Sequence, residues 1–281
     1  MLLKGITAGS LILSLVIGFF TGCFADLSWL WVLPLTFLGL ELGLIVLSFV
    51  FLWAVCQVVD TSVPQEHDSK FYRALAKLYA RAIVTLLQMD MDVQGLEKLP
   101  KDGRFLLVCN HLNILDPVIL MNFCPDSQLA FISKRENDTM FIVGKFMHRL
   151  LAQCINREND REALKTILNC IRLIKEDEAS VAVFPEGYTS LDGKLHHFRS
   201  GVFKIALKAK VPIVVFTLQN TQYIFHNAAR LRRTHIPLHL LEVIPYEELE
   251  HHTAVEVGSR VYDLMIRDLG PDFLPDETDN T

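Results

Sequence analysis

The 281-residue sequence lacks the short motifs that mark the commonest catalytic and nucleotide-binding chains. It has no GxSxG elbow, no GxxxxGK[ST] loop, no GxGxxG turn and no HExxH pair. The usual serine-hydrolase, nucleotide and zinc-peptidase chemistries are therefore without their carriers. Its six cysteines (Cys23, Cys56, Cys109, Cys124, Cys154, Cys170) form no CxxC pair and keep no regular spacing. That pattern excludes a disulfide framework or a zinc knuckle. Cys109, Cys154 and Cys170 sit inside apolar patterns and read as small core residues of a reducing compartment. The adjacent pairs His196-His197 and His251-His252 diverge and have no partner carboxylates in sequence, so no metal site is expected. Excess positive charge is also missing: 27 Lys+Arg against 32 Asp+Glu leave a formal net charge of -5, which removes nucleic acid as the expected partner.

Apolar residues, by contrast, are plentiful. They make up 51% of the chain, with a mean hydropathy of +0.30, and the excess is concentrated in the first sixty residues. Ile6 to Ala25 is close to the ~20 residues a helix needs to cross the hydrocarbon of a bilayer. A second apolar segment runs from Trp29 to Val59 with Glu41 as its one ionisable residue, and Trp29, Trp31 and Trp53 stand near its ends. The connector between the segments carries Asp26 and no basic residue, whereas Lys70, Arg73, Lys77 and Arg81 follow the second. The positive-inside asymmetry then predicts a helical hairpin with its connector outside and the rest of the chain in the cytoplasm. The expected location is the plasma (inner) membrane. The first segment also has the outline of a signal peptide, and "FTGC" is loosely similar to a lipoprotein cleavage box, but Phe20 is a poor residue there. Retention of residues 1–25 is left open by the sequence. Glu41 is expected to face the other helix, because an intramembrane carboxylate exposed to lipid is costly.

Residues 67–88 have helical periodicity. Phe71, Leu75, Leu78, Ala82 and Leu86 form one stripe, beside a basic stripe of Lys70, Arg73, Lys77 and Arg81. Such a helix is suited to lying on anionic headgroups, or to packing on a globular domain with its charged face in water. From residue 96 onward, apolar runs at 105–109, 129–133, 152–156, 180–184, 211–218 and 239–244 alternate with helical patterns. The predicted fold class is α/β, a mostly parallel sheet flanked by helices, with an N-terminal transmembrane helical hairpin. The expected plan is an anchor over 1–60, a basic interfacial helix and linker over 61–95, a catalytic domain over 96–270 and a disordered acidic tail over 271–281. His111, Arg157 and Glu186 each follow a predicted strand, and ligands of parallel sheets bind outside the carboxyl ends of the strands.

The stretch "FLLVCNHLNILDPV" (105–118) carries a histidine with an aspartate at i+5. The carboxylate of such a pair fixes the imidazole tautomer and steadies the imidazolium once the other nitrogen has taken a proton. No serine lies beside it, and Cys109 belongs to the apolar strand. If the enzyme supplies no nucleophile, the substrate hydroxyl must. The spacing alone is weak, but "FPEGYTS" (184–190) ends a second strand in a glycine turn with a carboxylate.

Taken together, "NHLNILD", "FISKRE", "CINRE", "FPEGYTS" and "VPIVVFTLQN" occur in the order found in the glycerolipid acyltransferases of the 1-acylglycerol-3-phosphate O-acyltransferase family. The chain resembles that family over about residues 95–220. The resemblance implies that His111 is the general base and Asp116 its orienting partner. It implies substrate binding by Asn110, Lys134, Arg157, Glu186, Gly187, Thr189 and Arg199, with Glu186 and Gly187 holding the acceptor's glycerol. It also implies no cofactor and no metal, with acyl-CoA or acyl-carrier protein as co-substrate. A lysophospholipid would be the acceptor, and membrane lipids the surroundings. One departure stands out. Tyr188-Thr189 replaces the usual Thr-Arg, removing a bidentate phosphate fork. Lys194 lies just beyond the box as a further basic residue. Glycerol-3-phosphate or another lysolipid as acceptor, and a non-catalytic lipid-binding role, therefore remain alternatives.

Overall fold

The structure, a computed structural model, describes residues 2–156, 159–190 and 192–275. The chain divides into two compact units, Met1–Val63 and Pro64–Thr281.

The first unit is a pair of helices, α1 (Leu2–Thr21) and α2 (Trp29–Gln57). Both are long and apolar enough to cross a membrane. The face that α1 buries is made of its small residues Ser10, Ser14 and Gly18, while Phe19, Phe20, Leu38 and Leu42 point outward. Small residues let two helices approach closely where lipid provides no hydrophobic drive between them. A Cβ on Gly18 would lie 2.7 Å from Leu33 Cδ2. Glu41 does face α1: the Thr7 hydroxyl donates to its Oε1 at 2.9 Å.

The second unit contains α3 (Lys70–Leu86), β1 (Met89–Gln94), β2 (Leu106–Cys109), α4 (Asp116–Phe123), β3 (Leu129–Lys134), α5 (Val143–Arg149), β4 (Gln153–Ile155) and α6 (Asp160–Lys175). It continues with β5 (Ser180–Val183), α7 (Lys204–Ala209), β6 (Ile213–Leu218), α8 (Ile224–Ala228), β7 (Thr234–Ile244), α9 (Tyr246–Leu249) and α10 (Ala254–Leu269). The seven strands form one sheet in the order β1-β7-β6-β2-β5-β3-β4. Every neighbouring pair is parallel except β6 and β7. Strand β2 is buried at every residue, as expected of a central parallel strand covered on both faces. Its alternate residues feed two cores. Leu106 and Val108 join Ile167, Val257 and Met265 of α6 and α10, while Leu107 and Cys109 join Ile119 and Leu120 of α4. Side-chain caps fix the helix starts. The Asn159 side chain accepts from the amides of Arg161 and Glu162, and Thr253 with Glu256 closes a capping box on α10.

Three expectations need correction. The globular unit begins at Pro64 rather than 96, because β1 joins the sheet beside β7 and α3 packs against α4. The segment "MDMDVQ" does alternate apolar and polar residues, the pattern of a half-buried edge strand. Second, α3 buries Tyr72, Arg73, Ala76, Ala80 and Ala82, so Ala82 alone of the expected stripe is fully buried, while Phe71 and Leu86 are exposed. Arg73 is not a headgroup-facing cation. Its guanidinium pairs with Asp68 at 2.6 Å and donates to the Leu129 carbonyl at 2.8 Å, tying α3 to β3. Alanines on the buried face let the helix sit close, so bulk on the other side stays outside. Third, the first part of the expected disordered tail is ordered. Pro271–Phe273 form a 3-10 turn, and the Leu195 amide donates to the Phe273 carbonyl at 2.7 Å. Residues 276–281 of that tail lie outside the described residues.

Candidate active site

At Cys109 the chain must leave the sheet without unpairing buried backbone groups. The Asn110 side chain meets that need. Its Oδ1 accepts from the Leu218 amide at 2.8 Å and its Nδ2 donates to the Leu218 carbonyl at 2.8 Å, extending the ladder to β6 after the backbone has departed. Asn110 is 1% exposed. Both ends of the amide are thus committed to protein, which corrects its expected place among substrate-binding residues: it positions the turn.

His111 follows at the carboxyl end of β2 and is held on four sides. Its Nδ1 lies 2.8 Å from Asp116 Oδ2. The ring stacks on Phe184, with centroids 4.1 Å apart and planes 19° from parallel. Its backbone N–H donates to Glu186 Oε1 at 3.0 Å, and its carbonyl accepts from the Ser190 amide at 2.8 Å. The imidazole Nε2 has no partner among the described residues and is the atom left for a substrate. Asp116 is fully buried, and the same Oδ2 also accepts the amides of Leu112 (2.7 Å) and Asn113 (2.8 Å). It is the first residue of α4 rather than its cap. With several donors on one oxygen, the carboxylate is fixed in place, which suits it to orient the histidine. Cys109, the nearest thiol in sequence, points into the core beside Ile119 and Leu120. Burial, reinforced by the charges of Asp116 and Glu186, pushes that thiol well above its ordinary range. It is no nucleophile at neutral pH.

Strand β5 delivers the second element from the neighbouring position in the sheet. Phe184 and Pro185 lead to Glu186, and Gly187 turns the chain at φ +85° with its amide donating to the Phe184 carbonyl at 3.0 Å. Glu186 is 1% exposed. Its Oε1 accepts from the His111 amide and its Oε2 from the His196 amide, each at 3.0 Å. This corrects the expected contact with the acceptor's glycerol: Glu186 clamps the His111 turn to the loop that follows. Burial raises its carboxyl to about 7 against the pull of those two amides. In that loop, burial alone would raise Asp192, but the Lys194 amide, Ser190 Oγ and His196 Nε2 all bond to its Oδ1 and bring it to about 2.

The basic residues are less gathered. Lys134 ends β3 and pairs on the surface with Glu136 at 3.0 Å. Lys194 Nζ donates to the Asp272 carbonyl at 2.9 Å. Arg199 is exposed at the start of the Ser200–Phe203 turn, and its amide donates to the Pro185 carbonyl, which keeps it beside the glycine turn. Thr189 is half-buried next to Ser190. Arg157 lies outside the described residues. The sequence reading missed Phe184, Ser190 and the Asp192–His196 pair as partners of the site. Phe184 and Ser190 stood inside the quoted "FPEGYTS", so their place was visible even though their contacts were not.

This chain resembles known proteins in the same region. Residues 90–219 match the family model described as Acyltransferase. That span holds β1 to β6, with His111, Asp116 and Glu186 inside it. Over those residues the chain is similar to that family. Among curated relatives of the acyltransferase domain, the 1-acyl-sn-glycerol-3-phosphate acyltransferase BAT2, chloroplastic, of Brassica napus is 36% identical over 153 residues. That match covers 54% of this chain and 43% of the relative. The 1-acyl-sn-glycerol-3-phosphate acyltransferase of Saccharomyces cerevisiae is 25% identical over 219 residues, 77% of this chain and 71% of the yeast protein. The chain thus spans less than half the length of the plant relative it matches. The crystal structure of the 1-acyl-sn-glycerophosphate acyltransferase PlsC from Thermotoga maritima superposes with a TM-score of 0.59 at 23% identity, over 70% of this chain and 78% of that one. The α/β unit therefore has a PlsC-like fold.

Proposed function

We propose that this protein is a membrane-bound O-acyltransferase. It would move a fatty acyl group from an acyl thioester, acyl-CoA or acyl-carrier protein, to the free hydroxyl of 1-acyl-glycerol-3-phosphate, giving phosphatidic acid. The observation that carries this reading is the His111–Asp116 pair at 2.8 Å, with Nε2 unclaimed and no protein nucleophile bonded to it among the described residues. The lipid hydroxyl loses its proton to His111 Nε2 as its oxygen attacks the thioester carbonyl. Asp116 holds Nδ1–H and steadies the imidazolium. The C–S bond then breaks, and the imidazolium returns the proton to the departing thiolate. The phosphate would be received by basic side chains, Arg199 beside the glycine turn foremost, with Lys134 and, from the sequence alone, Arg157 as further candidates and Thr189 as a neutral neighbour. No cofactor is required by this chemistry. The two apolar helices support a membrane location. The charge asymmetry around them supports the cytoplasmic side of the plasma membrane for the catalytic domain.

A second acceptor is favoured by one observation. The loop that lacks the usual arginine carries Asp192, whose carboxyl is held at about 2 and so stays anionic. A lysolipid with a different or more shielded headgroup would meet less repulsion there. The test uses the full chain in liposomes with a long-chain acyl-CoA and a panel of acceptors including 1-acyl-glycerol-3-phosphate and glycerol-3-phosphate. Products are read by mass spectrometry beside His111→Ala. Phosphatidic acid from the wild type alone supports the reading. Product on another acceptor alone replaces the acceptor. No product with either thioester, from protein that is folded, reduces the protein to a lipid binder.

A further inference from the structure

The turn between α8 and β7 has no part in the chemistry above, and it is built in an unusual way. Leu231 is 82% exposed and sits at φ +54°, a left-handed conformation that a leucine adopts at an energetic cost. The turn is nonetheless rigid. Arg230 and Arg232 both donate backbone amides to the Asn227 carbonyl, at 3.0 and 2.9 Å, and Leu231 donates to the Ala228 carbonyl at 3.0 Å. The Asn227 side chain is anchored to Thr234 Oγ1 at 3.1 Å. An apolar side chain is therefore held out in water by a fixed scaffold, where a glycine or asparagine would relieve the backbone.

Cations surround it. Arg230 bonds to the His226 ring, while Arg232 and Arg233 form no ion pair among the described residues. Beside Arg233 lies an open hollow of about 390 Å³, lined also by Thr85 of α3 and by Gln88 just after that helix. Among the described residues the one acid lining that hollow is Asp90, which faces His235 Nδ1 at 3.3 Å. Arg81, one turn back from Thr85 on α3, is exposed. Tyr223 and Phe225, before and within α8, are each 52% exposed.

The topology sets the direction in which this tip points. Leu218, the last residue of β6, pairs with Leu238 in antiparallel register. The same Leu218 holds Asn110, next to His111. Thr234 lies four residues before Leu238, so β7 carries the tip ~13 Å beyond that point at ~3.4 Å per residue. The tip projects from the end of the sheet where His111 lies.

We propose that Leu231 and the arginines around it are a membrane-docking tip, with Leu231 entering an anionic leaflet while Arg230, Arg232 and Arg233 engage lipid phosphates. A fixed apolar point flanked by arginines, of which Arg232 and Arg233 form no ion pair among the described residues, is complementary to that surface in both charge and polarity. It serves the site because docking there presents the His111 end of the sheet to the leaflet. The idea leans on the lipid-substrate reading only for that purpose, and its test needs no turnover.

The test places a tryptophan at the tip. The native Trp29, Trp31 and Trp53 are replaced by Phe, Leu231→Trp is introduced, and the full chain is reconstituted in vesicles whose acyl chains carry bromine. In vesicles containing phosphatidylglycerol the emission is expected to shift to the blue and be quenched. In phosphatidylcholine alone, or at high salt, both effects should weaken. Each of Arg232→Ala and Arg233→Ala should reduce the docked-to-free ratio about fivefold. An emission that stays red and unquenched in both vesicle types overturns the proposal. So does a tip that responds only to added coenzyme A, which would make it a nucleotide-phosphate site, or only to acyl-carrier protein, which would make it a protein-docking site. If the tip docks while no acyl transfer occurs, the proposed reaction fails and the tip stands.

Discussion

The two units of this protein use the same apolar residue types in opposite ways. In the hairpin most large side chains face outward, and the face that α1 buries is made of Ser10, Ser14 and Gly18, with Leu52 the large residue buried on α2. In the α/β unit Leu106, Leu107, Val181 and Phe216 are fully buried, and the buried polar side chains of the site, Asn110, Asp116 and Glu186, each accept or donate hydrogen bonds there. The difference shows which solvent each unit is built against. An outward leucine is stable only where the surroundings are apolar, and a buried carboxylate only where donors await it.

The sharpest way to probe the polar interior is His111→Ala. Turnover should fall by ~10²–10⁴-fold, while circular dichroism and the thermal midpoint stay near wild type. A large loss of stability would mean that His111 is a packing residue. The apolar halves of the comparison are separated next. Leu107→Ala should lower stability in urea by about 2–5 kcal/mol. The same change at the outward Leu42, measured in lipid nanodiscs, should leave hairpin packing almost unaltered. Equal effects at the two positions would erase the contrast.

Glu186 offers a test through pH. Its carboxyl is raised from 4.5 to about 7 by burial, so the folded chain binds its proton more tightly than the unfolded chain does. That contribution is fully present below pH 4.5 and is lost as pH rises through about 7. Glu186→Gln, which carries no titrating proton, should therefore flatten unfolding free energy across that window by about 3 kcal/mol. An unchanged pH dependence would show that the group titrates normally in the fold. The smallest effect belongs to the hairpin. Gly18→Val would press on Leu33 and should cost about 1–3 kcal/mol of helix–helix association, read as a loss of energy transfer between labels at the two helix ends. Full tolerance would mean that the small-residue face is not the interface.

Much of this organisation was legible in the sequence. The six expected strands correspond to β2 through β7, because buried parallel strands are written as short apolar runs. The hairpin and the strand-end positions of His111 and Glu186 were visible for the same kind of local reason. The start of the globular unit was less legible. "MDMDVQ" alternates cleanly, yet its partner β7 lies more than a hundred residues away, and nothing local announces that pairing. The helix at 70–86 was found, but not its buried face. The sequence marks where bulk lies, whereas packing selected the flat alanine side and buried Arg73 against Asp68.

The roles inside the site divide along the same line. His111 with Asp116 at i+5 is a local relation, since one turn of chain brings a carboxylate to the imidazole. It could be read from spacing and is met at 2.8 Å. Asn110 and Glu186 looked equally polar and equally close to the chemistry, and a sequence gives no sign of whether a polar group faces substrate or backbone. Their carboxylate and amide are satisfied by Leu218, His111 and His196, residues from other strands and loops. The sequence by itself therefore determined which residues stand at the strand ends. Only the tertiary structure decided which of them remain free to meet a substrate, because that depends on donors and acceptors brought from across the sheet.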